Sequence, residues 1–161
     1  MKFRDMKIEM LKPKDVVRAS RFTQDIINSL TIYNRQARDA FSKEMSPNRM
    51  RKELKRGKLF VMKTKSGKIL GFSNYYPSSS GVGLSDWLLI DSSSRGKGLG
   101  IALSKYILAF AKRHGEHTVL IDSRINNHKS IKMIKKLGFS KLGLFRKAWY
   151  KQDYYLWYKN I

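Results

Sequence analysis

A glycine-rich loop between an apolar strand and an amphipathic helix is the feature that most restricts how this chain can fold. The apolar run 88–90 is followed by a polar turn and then by glycines at positions 96, 98 and 100. The helix after them carries its apolar residues on one face, namely Leu99, Leu103, Tyr106, Ile107 and Phe110. Because glycines keep side chains out of the loop, backbone N–H groups there can point at an anion. The segment predicts a phosphate cradle.

The spacing of the glycines separates this loop from two common phosphate cradles. A Walker loop needs G-x-x-x-x-G-K-[ST], and a dinucleotide-binding loop needs G-x-G-x-x-G. The chain has G-x-G-x-G instead. Both of those nucleotide-binding sites are therefore disfavoured, and a tight turn without a ligand is the structural alternative.

The rest of the chain predicts strands alternating with helices. Residues 6–11 predict a strand, and a helix follows as far as Leu30. Residues 35–57 are helix-prone but interrupted at Ser46-Pro47, and 59–73 predict a hairpin before a loop over 75–83. Later segments predict strands at 84–90, 119–121, 142–145 and 154–158, with a helix capped by Asn127 between the second and third of these.

The chain is strongly basic along its whole length. Thirty-four Lys and Arg residues against 12 Asp and Glu give a net charge of +22. Such a surface favours anionic partners such as RNA, phosphorylated cofactors or acidic peptides, although a merely solubilising surface is the alternative. Residues 49–58 hold six basic residues and one acid. This run is either a solvated helix face or an anion-binding patch.

Composition excludes several classes of site. The chain contains no Cys, so disulfides, thiolate metal sites and a cysteine nucleophile are absent. His114, His117 and His128 lack metal-ligand spacing, and we expect no metal site. Residues 1–6 lack the apolar stretch of a signal peptide, and no segment reaches the ~18 apolar residues of a membrane span. We expect a cytoplasmic protein without membrane contact.

The glycine loop resembles the pyrophosphate loop of the GNAT superfamily of N-acetyltransferases, [QR]-x-x-G-x-[GA], through Arg95-x-x-Gly98-x-Gly100. The resemblance continues in Asn127-His128-Lys129-Ser130, which opens the next helix, and in Lys136-Leu137-Gly138-Phe139, which ends it. It implies a single GNAT-like domain over residues 1–161, of α/β (α+β) class, with a mixed, mostly antiparallel sheet flanked by helices. It also implies acetyl-CoA as the acetyl donor.

The resemblance assigns the donor site residue by residue. The backbone of Leu88, Leu89 and Ile90 would hold the pantetheine arm, and Asn127 would contact or position it. Arg95 or Lys97 would add positive charge near the pyrophosphate. The pyrophosphate itself would be held by the backbone N–H groups of Gly96, Lys97, Gly98, Leu99, Gly100 and Ile101. The structural alternatives are that 88–90 are only core residues and that Asn127 is only a helix cap.

The candidate catalytic residues are two aspartates. Asp122 stands five residues before Asn127, where similar ribosomal-protein N-acetyltransferases carry a Glu, and it is the first candidate for the general base. Asp86, on the preceding strand, is the second. Ile134 occupies the position of the usual proton-donating Tyr. Either the thiolate leaves unassisted or another hydroxyl substitutes, the tail offering Tyr150, Tyr154, Tyr155 and Tyr158.

The expected activity is acetyl transfer from acetyl-CoA to a primary amine by direct attack in a ternary complex. The net charge of +22 favours a protein or peptide N-terminal amine, an acidic peptide or an RNA-associated protein as the acceptor. An N-terminal amine is also easier to deprotonate, with a pKa of about 7.7–8.0 against about 10.4 for lysine. The charge of +22 argues against spermidine or aminoglycosides unless the acceptor groove is locally acidic. The alternative is a catalytically weak GNAT-like module that binds coenzyme A or RNA.

Overall fold

The computed structural model describes residues 5–161, which contain seven β-strands and five α-helices. The strands are β1 (Met6–Met10), β2 (Lys58–Thr64), β3 (Ile69–Tyr76), β4 (Val82–Ile90), β5 (Thr118–Arg124), β6 (Ser140–Phe145) and β7 (Tyr154–Asn160). The helices are α1 (Val16–Asn28), α2 (Arg35–Glu44), α3 (Pro47–Arg56), α4 (Leu99–Arg113) and α5 (His128–Lys136). The sequence predicts no signal peptide over residues 1–6. Residues 1–4 of this segment lie outside the described residues.

These strands form one sheet in the order β1-β2-β3-β4-β5-β7-β6. Neighbouring strands are antiparallel except β4 and β5, which are parallel. A parallel pair needs a crossover connection, and here the glycine loop and α4 supply it. The mixed, mostly antiparallel sheet flanked by helices that the sequence predicts is confirmed.

Each face of the sheet carries its own hydrophobic core. On one face, α1, α2 and α3 pack against side chains such as Leu59 and Val61 of β2. On the other, α4 and α5 pack against Phe60 and Met62 of the same strand. Successive side chains of a strand point to opposite faces, so an uninterrupted apolar run is needed where both faces are covered. None of the helices within residues 5–161 is long and apolar enough to cross a membrane.

The structure extends some predicted elements and corrects others. β3 continues through Tyr75 and Tyr76, which pair with Ser85 and Leu84 of β4, whereas the sequence predicts a loop from residue 75. Pairing with a neighbouring strand, which local sequence does not reveal, makes this stretch a strand. The predicted break at Ser46-Pro47 is confirmed, with α2 ending at Glu44 and α3 starting at Pro47.

Gly83 on β4 is a position where the core leaves no room for a side chain. A Cβ atom there would lie 1.8 Å from Oη of the fully buried Tyr75. We expect Gly83→Ala to lower the free energy of unfolding by about 2–3 kcal/mol, since overpacking a core forces its neighbours to move. Urea denaturation of the variant against the unmodified protein measures this loss.

The matched control is Gly143→Ala on β6, where a Cβ would meet nothing within 4 Å. This variant should retain the midpoint of the unmodified protein. Equal stability of the two variants would contradict the packing of Tyr75 against Gly83.

Candidate active site

The site is built where β4 and β5 separate. The two strands pair only from Val82 to Leu84, against Thr118 to Leu120. Beyond Leu84 and Leu120 no residues of these two described strands pair with each other, although β4 continues to Ile90 and β5 to Arg124. The backbone groups that β4 turns towards β5 are therefore available to a ligand, and the strands enclose an open wedge.

A β-bulge lies on β4 at the same level. Ser73 of β3 pairs with Leu88 and Tyr75 pairs with Ser85, so Asn74 faces two residues, Asp86 and Trp87. Such a bulge bends its strand and redirects side chains. Both Asp86 and Trp87 consequently line one cavity on the α1–α3 side of the sheet.

This acceptor-side cavity has a volume of about 270 Å³. Its walls come from α2, α3 and strands β2 to β4, and they combine acidic, basic, amide and aromatic side chains. The lining residues are Glu44, Met45, Arg49, Met50, Glu53, Arg56, Leu59, Phe72, Asn74, Tyr76, Asp86 and Trp87.

A chain of hydrogen bonds joins Asp86 to α3. The Nδ2 group of Asn74 donates to Asp86 Oδ2 at 3.4 Å and to Tyr76 Oη at 3.0 Å. Tyr76 in turn donates to Glu53 Oε2 at 3.1 Å. Asn74 is only 4 % exposed, so it holds the Asp86 carboxyl from inside the sheet.

The walls of the cavity raise the pKa of Asp86. Its side chain reaches the open groove, but surrounding protein displaces most of the bulk water, and this desolvation raises its pKa to about 7. Repulsion from Asp122 adds to the rise, while the hydrogen bond from Asn74 opposes it. Desolvation also raises the pKa of Asp122, to about 6. Both carboxyl groups therefore have pKa values near neutral pH.

Two tyrosines lie within electrostatic range of these carboxyl groups. Desolvation raises the pKa of Tyr33 and of Tyr154, and the charges of Asp122 and Asp86 raise both further. Tyr154 Oη is buried and has no hydrogen-bond partner among residues 5–161. Tyr150 instead packs on Phe41 of α2, with ring centroids 5.1 Å apart.

Ile134, at the position where a proton-donating Tyr is usual, is part of the hydrophobic core. Ile134 is 2 % exposed and packs among the α4 and α5 side chains. It contributes packing and no proton. Of the hydroxyls that the sequence offers in its place, that of Tyr154 has its pKa raised by the charges of Asp122 and Asp86.

The cavity is locally acidic within a basic protein. Glu44 and Glu53 lie near enough to Asp86 for their charges to raise its pKa, as does Asp122. Of these four acids, Glu44, Glu53 and Asp86 line the cavity itself. Arg49 and Arg56 also line the cavity and partly balance this charge. The lining acids therefore outnumber the lining arginines by one, and only while Asp86 is ionised.

The glycine loop forms a cradle at the start of α4. Gly96 and Gly98 have φ of 78° and 80°, the left-handed region that glycine tolerates best. A Cβ at Gly96 would meet nothing within 4 Å, so the loop faces open space. The first N–H groups of a helix have no acceptor inside it, and at α4 they adjoin this loop. The cradle fits a pyrophosphate.

The side chains of the loop have other partners. Arg95 Nε donates to the carbonyl oxygen of Ile90 at 3.1 Å, and Lys97 Nζ donates to that of Ser93 at 3.0 Å. Leu99 is buried in the core and Ile101 is partly buried against it, so these positions offer backbone groups to a ligand. Gly100 packs closely, since a Cβ there would lie 3.0 Å from Met133 Sδ.

The strand residues assigned to the pantetheine arm divide between the two cores. Leu89 is buried on the α1–α3 side, whereas Leu88 and Ile90 pack on the α4–α5 side. Asn127 caps α5, because its Oδ1 accepts a hydrogen bond from the Ser130 N–H at 3.2 Å. The cap predicted from the sequence is confirmed, and it engages only one end of the amide.

Several site residues were not found from the sequence. Glu44, Glu53, Asn74, Tyr76 and Tyr33 come from segments far apart in the chain, and no spacing joins them to the glycine loop. The sequence signal that could have pointed to this cavity is Trp87, which directly follows the candidate base Asp86. Among residues 5–161 no group of three or more His, Cys, Asp or Glu could hold a metal ion.

The carboxyl pair makes the protonation of Asp86 depend on Asp122. We expect Asp122→Asn to lower the pKa of Asp86 below about 7, since the variant removes a like charge and keeps the shape. Carbon-13 NMR titration of the aspartate carboxyls measures this. Asp25→Asn, a charge removed from an exposed position on α1, is the control and should leave the Asp86 titration unchanged. The same titration curve in all three proteins would refute the coupling.

Comparisons with known proteins agree with this geometry. The model of the acetyltransferase (GNAT) family matches residues 26–139. No match was found among curated protein sequences. Similar solved structures include ribosomal-protein-S5-alanine acetyltransferase from Vibrio fischeri, at 20 % identity and TM-score 0.78, over 99 % of this chain and 95 % of that one.

Two further structures have the same fold. Ribosomal-protein-S18-alanine N-acetyltransferase from Escherichia coli matches at 18 % identity and TM-score 0.74, over 97 % of this chain and 94 % of that one. A spermidine N-acetyltransferase chimera from Vibrio cholerae matches at 15 % identity and TM-score 0.76, over 97 % and 95 %. With the family model covering most of the chain, the protein belongs to the GNAT acetyltransferase family, whose members transfer acyl groups to amines.

Proposed function

We propose that this enzyme transfers an acetyl group from acetyl-CoA to a primary amine by direct attack within one ternary complex. The observation that carries the proposal is the wedge between β4 and β5, which has the glycine cradle near one end and two carboxyl groups of raised pKa beside it. The chain has no Cys that could carry the acetyl group between substrates. A cytoplasmic location forms part of this proposal.

On the donor side, the chain supplies backbone groups. The N–H groups of 96–101 would hold the pyrophosphate of acetyl-CoA, and the unpaired edge of β4 at 88–90 would hold the pantetheine arm. Asn127 would position that arm. When bound, acetyl-CoA supplies an activated acetyl thioester. N–H groups on the free edge of β4 would donate to its carbonyl oxygen as negative charge develops there.

On the acceptor side, the two aspartates handle the proton. An amine arrives as an ammonium ion and must lose a proton before its nitrogen can attack. The attack forms the C–N bond while the C–S bond of the thioester breaks, and the second proton of the nitrogen goes to the departing thiolate. Asp86 reaches the groove and has a pKa of about 7, so at neutral pH it is partly ionised and can take that proton. Asp122, the first candidate from the sequence, adds repulsion to the desolvation that raises the pKa of Asp86, and it is the alternative base.

The acceptor that we favour is the N-terminal amine of a protein or peptide. Its reference pKa of about 7.7–8.0 is close to that of Asp86, so the proton transfer is nearly balanced. Acetylation of ribosomal-protein alanines, which two structural neighbours carry in their names, is chemistry of this kind. The acidic side chains in the cavity support a polycation such as spermidine as the second acceptor candidate.

The donor site is tested by placing a negative charge in the cradle. We expect Gly98→Asp to abolish acetyl-CoA binding in calorimetry, because the carboxylate would occupy and repel the pyrophosphate position. Gly115→Asp is the control: this glycine also has a positive φ, of 85°, and lies just after the other end of α4. Retained binding in folded Gly98→Asp would refute the assigned cradle, and no binding by the unmodified protein would refute the acetyltransferase proposal.

The proton-accepting role of Asp86 is tested by pH dependence. A base must be ionised, so kcat/KM for an N-terminal peptide amine should fall as the pH drops below about 7. Because the amine arrives as an ammonium ion, kcat/KM should also fall above the amine pKa of about 7.7–8.0, which gives a bell-shaped profile. Asp86→Asn should lower kcat/KM by about 100-fold or more. Release of free coenzyme A thiol in a panel of peptide amines and spermidine measures both effects. Asp25→Asn serves as the control. Full activity of Asp86→Asn would contradict Asp86 as the general base and would assign that role to Asp122.

A further inference from the structure

We propose that the outward surface of α3 binds the phosphate backbone of RNA. This surface, called the α3 basic face below, consists of Arg49, Arg51, Lys52, Lys55 and Arg56. All five side chains are exposed. The proposal concerns binding alone, so it stands or falls separately from acetyl transfer.

Helix geometry brings the five cations onto one continuous surface. At 3.6 residues per turn they span an arc of roughly 160°. Met50, which is buried, and Leu54, which packs against the core, lie on the opposite side and fasten α3 to the sheet. The charged arc therefore faces solvent as a rigid surface.

The acids near this surface lie in the cavity, where Glu44 and Glu53 line the same walls as Arg49 and Arg56. The part of the surface without nearby acids is Arg51, Lys52 and Lys55. Glu53 is the only acidic residue of α3, and it turns away to accept the hydrogen bond from Tyr76 in the acceptor-side cavity. Within residues 5–161, none of the five cations forms an ion pair with an N–O distance of 4 Å or less. Lining up like charges costs stability unless a polyanion neutralises them.

The chemistry of the α3 basic face favours a nucleic-acid backbone. Three of its five cations are arginines, whose planar guanidinium groups bind phosphate oxygens in pairs. A membrane surface fits poorly, because an interfacial helix needs an apolar face free to enter the lipid, and Met50 and Leu54 are packed in the core. A row of phosphates carries the charge that complements this basic face.

The position of the face connects it with the acceptor. Arg49 and Arg56 also line the acceptor-side cavity, so RNA bound along α3 would pass the mouth of that cavity. On the proposed function, this arrangement would present the amine of an RNA-associated protein to Asp86. Binding of RNA itself does not depend on that function.

The experiment removes three cations that lie outside the cavity lining, in Arg51→Ala/Lys52→Ala/Lys55→Ala. Alanine favours the helix, so the variant should fold, which circular dichroism checks. Fluorescence anisotropy with a labelled RNA hairpin, without acetyl-CoA, gives the Kd from 50 to 200 mM salt. We expect affinity to fall at least ten-fold at 50 mM, and the slope of log affinity against log salt to become shallower by about 2–3.

The matched control is Lys129→Ala/Lys132→Ala/Lys136→Ala on α5, which removes the same charge from another exposed and acid-free helix face. It should change the affinity for RNA less than three-fold. Equal losses in the two variants would overturn the proposal, because attraction would then come from the whole basic surface. Tighter binding to a DNA duplex of the same sequence, to heparin or to anionic vesicles would overturn it as well.

Discussion

The whole site depends on the short length over which β4 and β5 are paired. A parallel pair that ends at Leu84 and Leu120 leaves the later part of β4 without a partner on that side. The bulge opposite Asn74 coincides with this divergence and turns Asp86 and Trp87 towards the same cavity. Because β3 and β7 hold the outer edges of the two strands in register, the wedge between them stays open without unfolding the sheet. The glycine loop follows the end of β4, and Asp86 and Asp122 lie on the parts of β4 and β5 beyond the last paired residues.

Electrostatics divides the molecule into two regions of opposite character. Much of the surface is basic, and α3 and α5 present faces without acids. Three carboxyl groups, those of Glu44, Glu53 and Asp86, nevertheless line one cavity, where poor solvation and repulsion from nearby acids raise the pKa of Asp86 to about 7. An acidic pocket in a basic surface can attract an amine locally while the surrounding surface attracts a polyanion. The two kinds of partner need not compete.

Local motifs were readable from the sequence because each depends on neighbouring residues. The glycine loop needs only positive φ angles at Gly96 and Gly98 before a helix, and the structure has both. The Asn127 cap and the break before Pro47 are equally local. The residues around Asp86 could not be predicted in this way. Asn74 and Glu53 reach Asp86 through β3 and α3, which pairing and packing bring together from distant segments.

The sequence by itself determined the order of the elements, the cradle at the start of α4, the absence of thiol chemistry and the charge of +22. It also identified Asp122 and Asp86 as candidates for the base. Only the tertiary structure decided that the charge of Asp122 raises the pKa of Asp86, that Ile134 is buried and that both aspartates raise the pKa of Tyr154. The physical reason is that ionisation depends on solvation and on charges in space, and these are fixed by strand register and a bulge rather than by spacing along the chain.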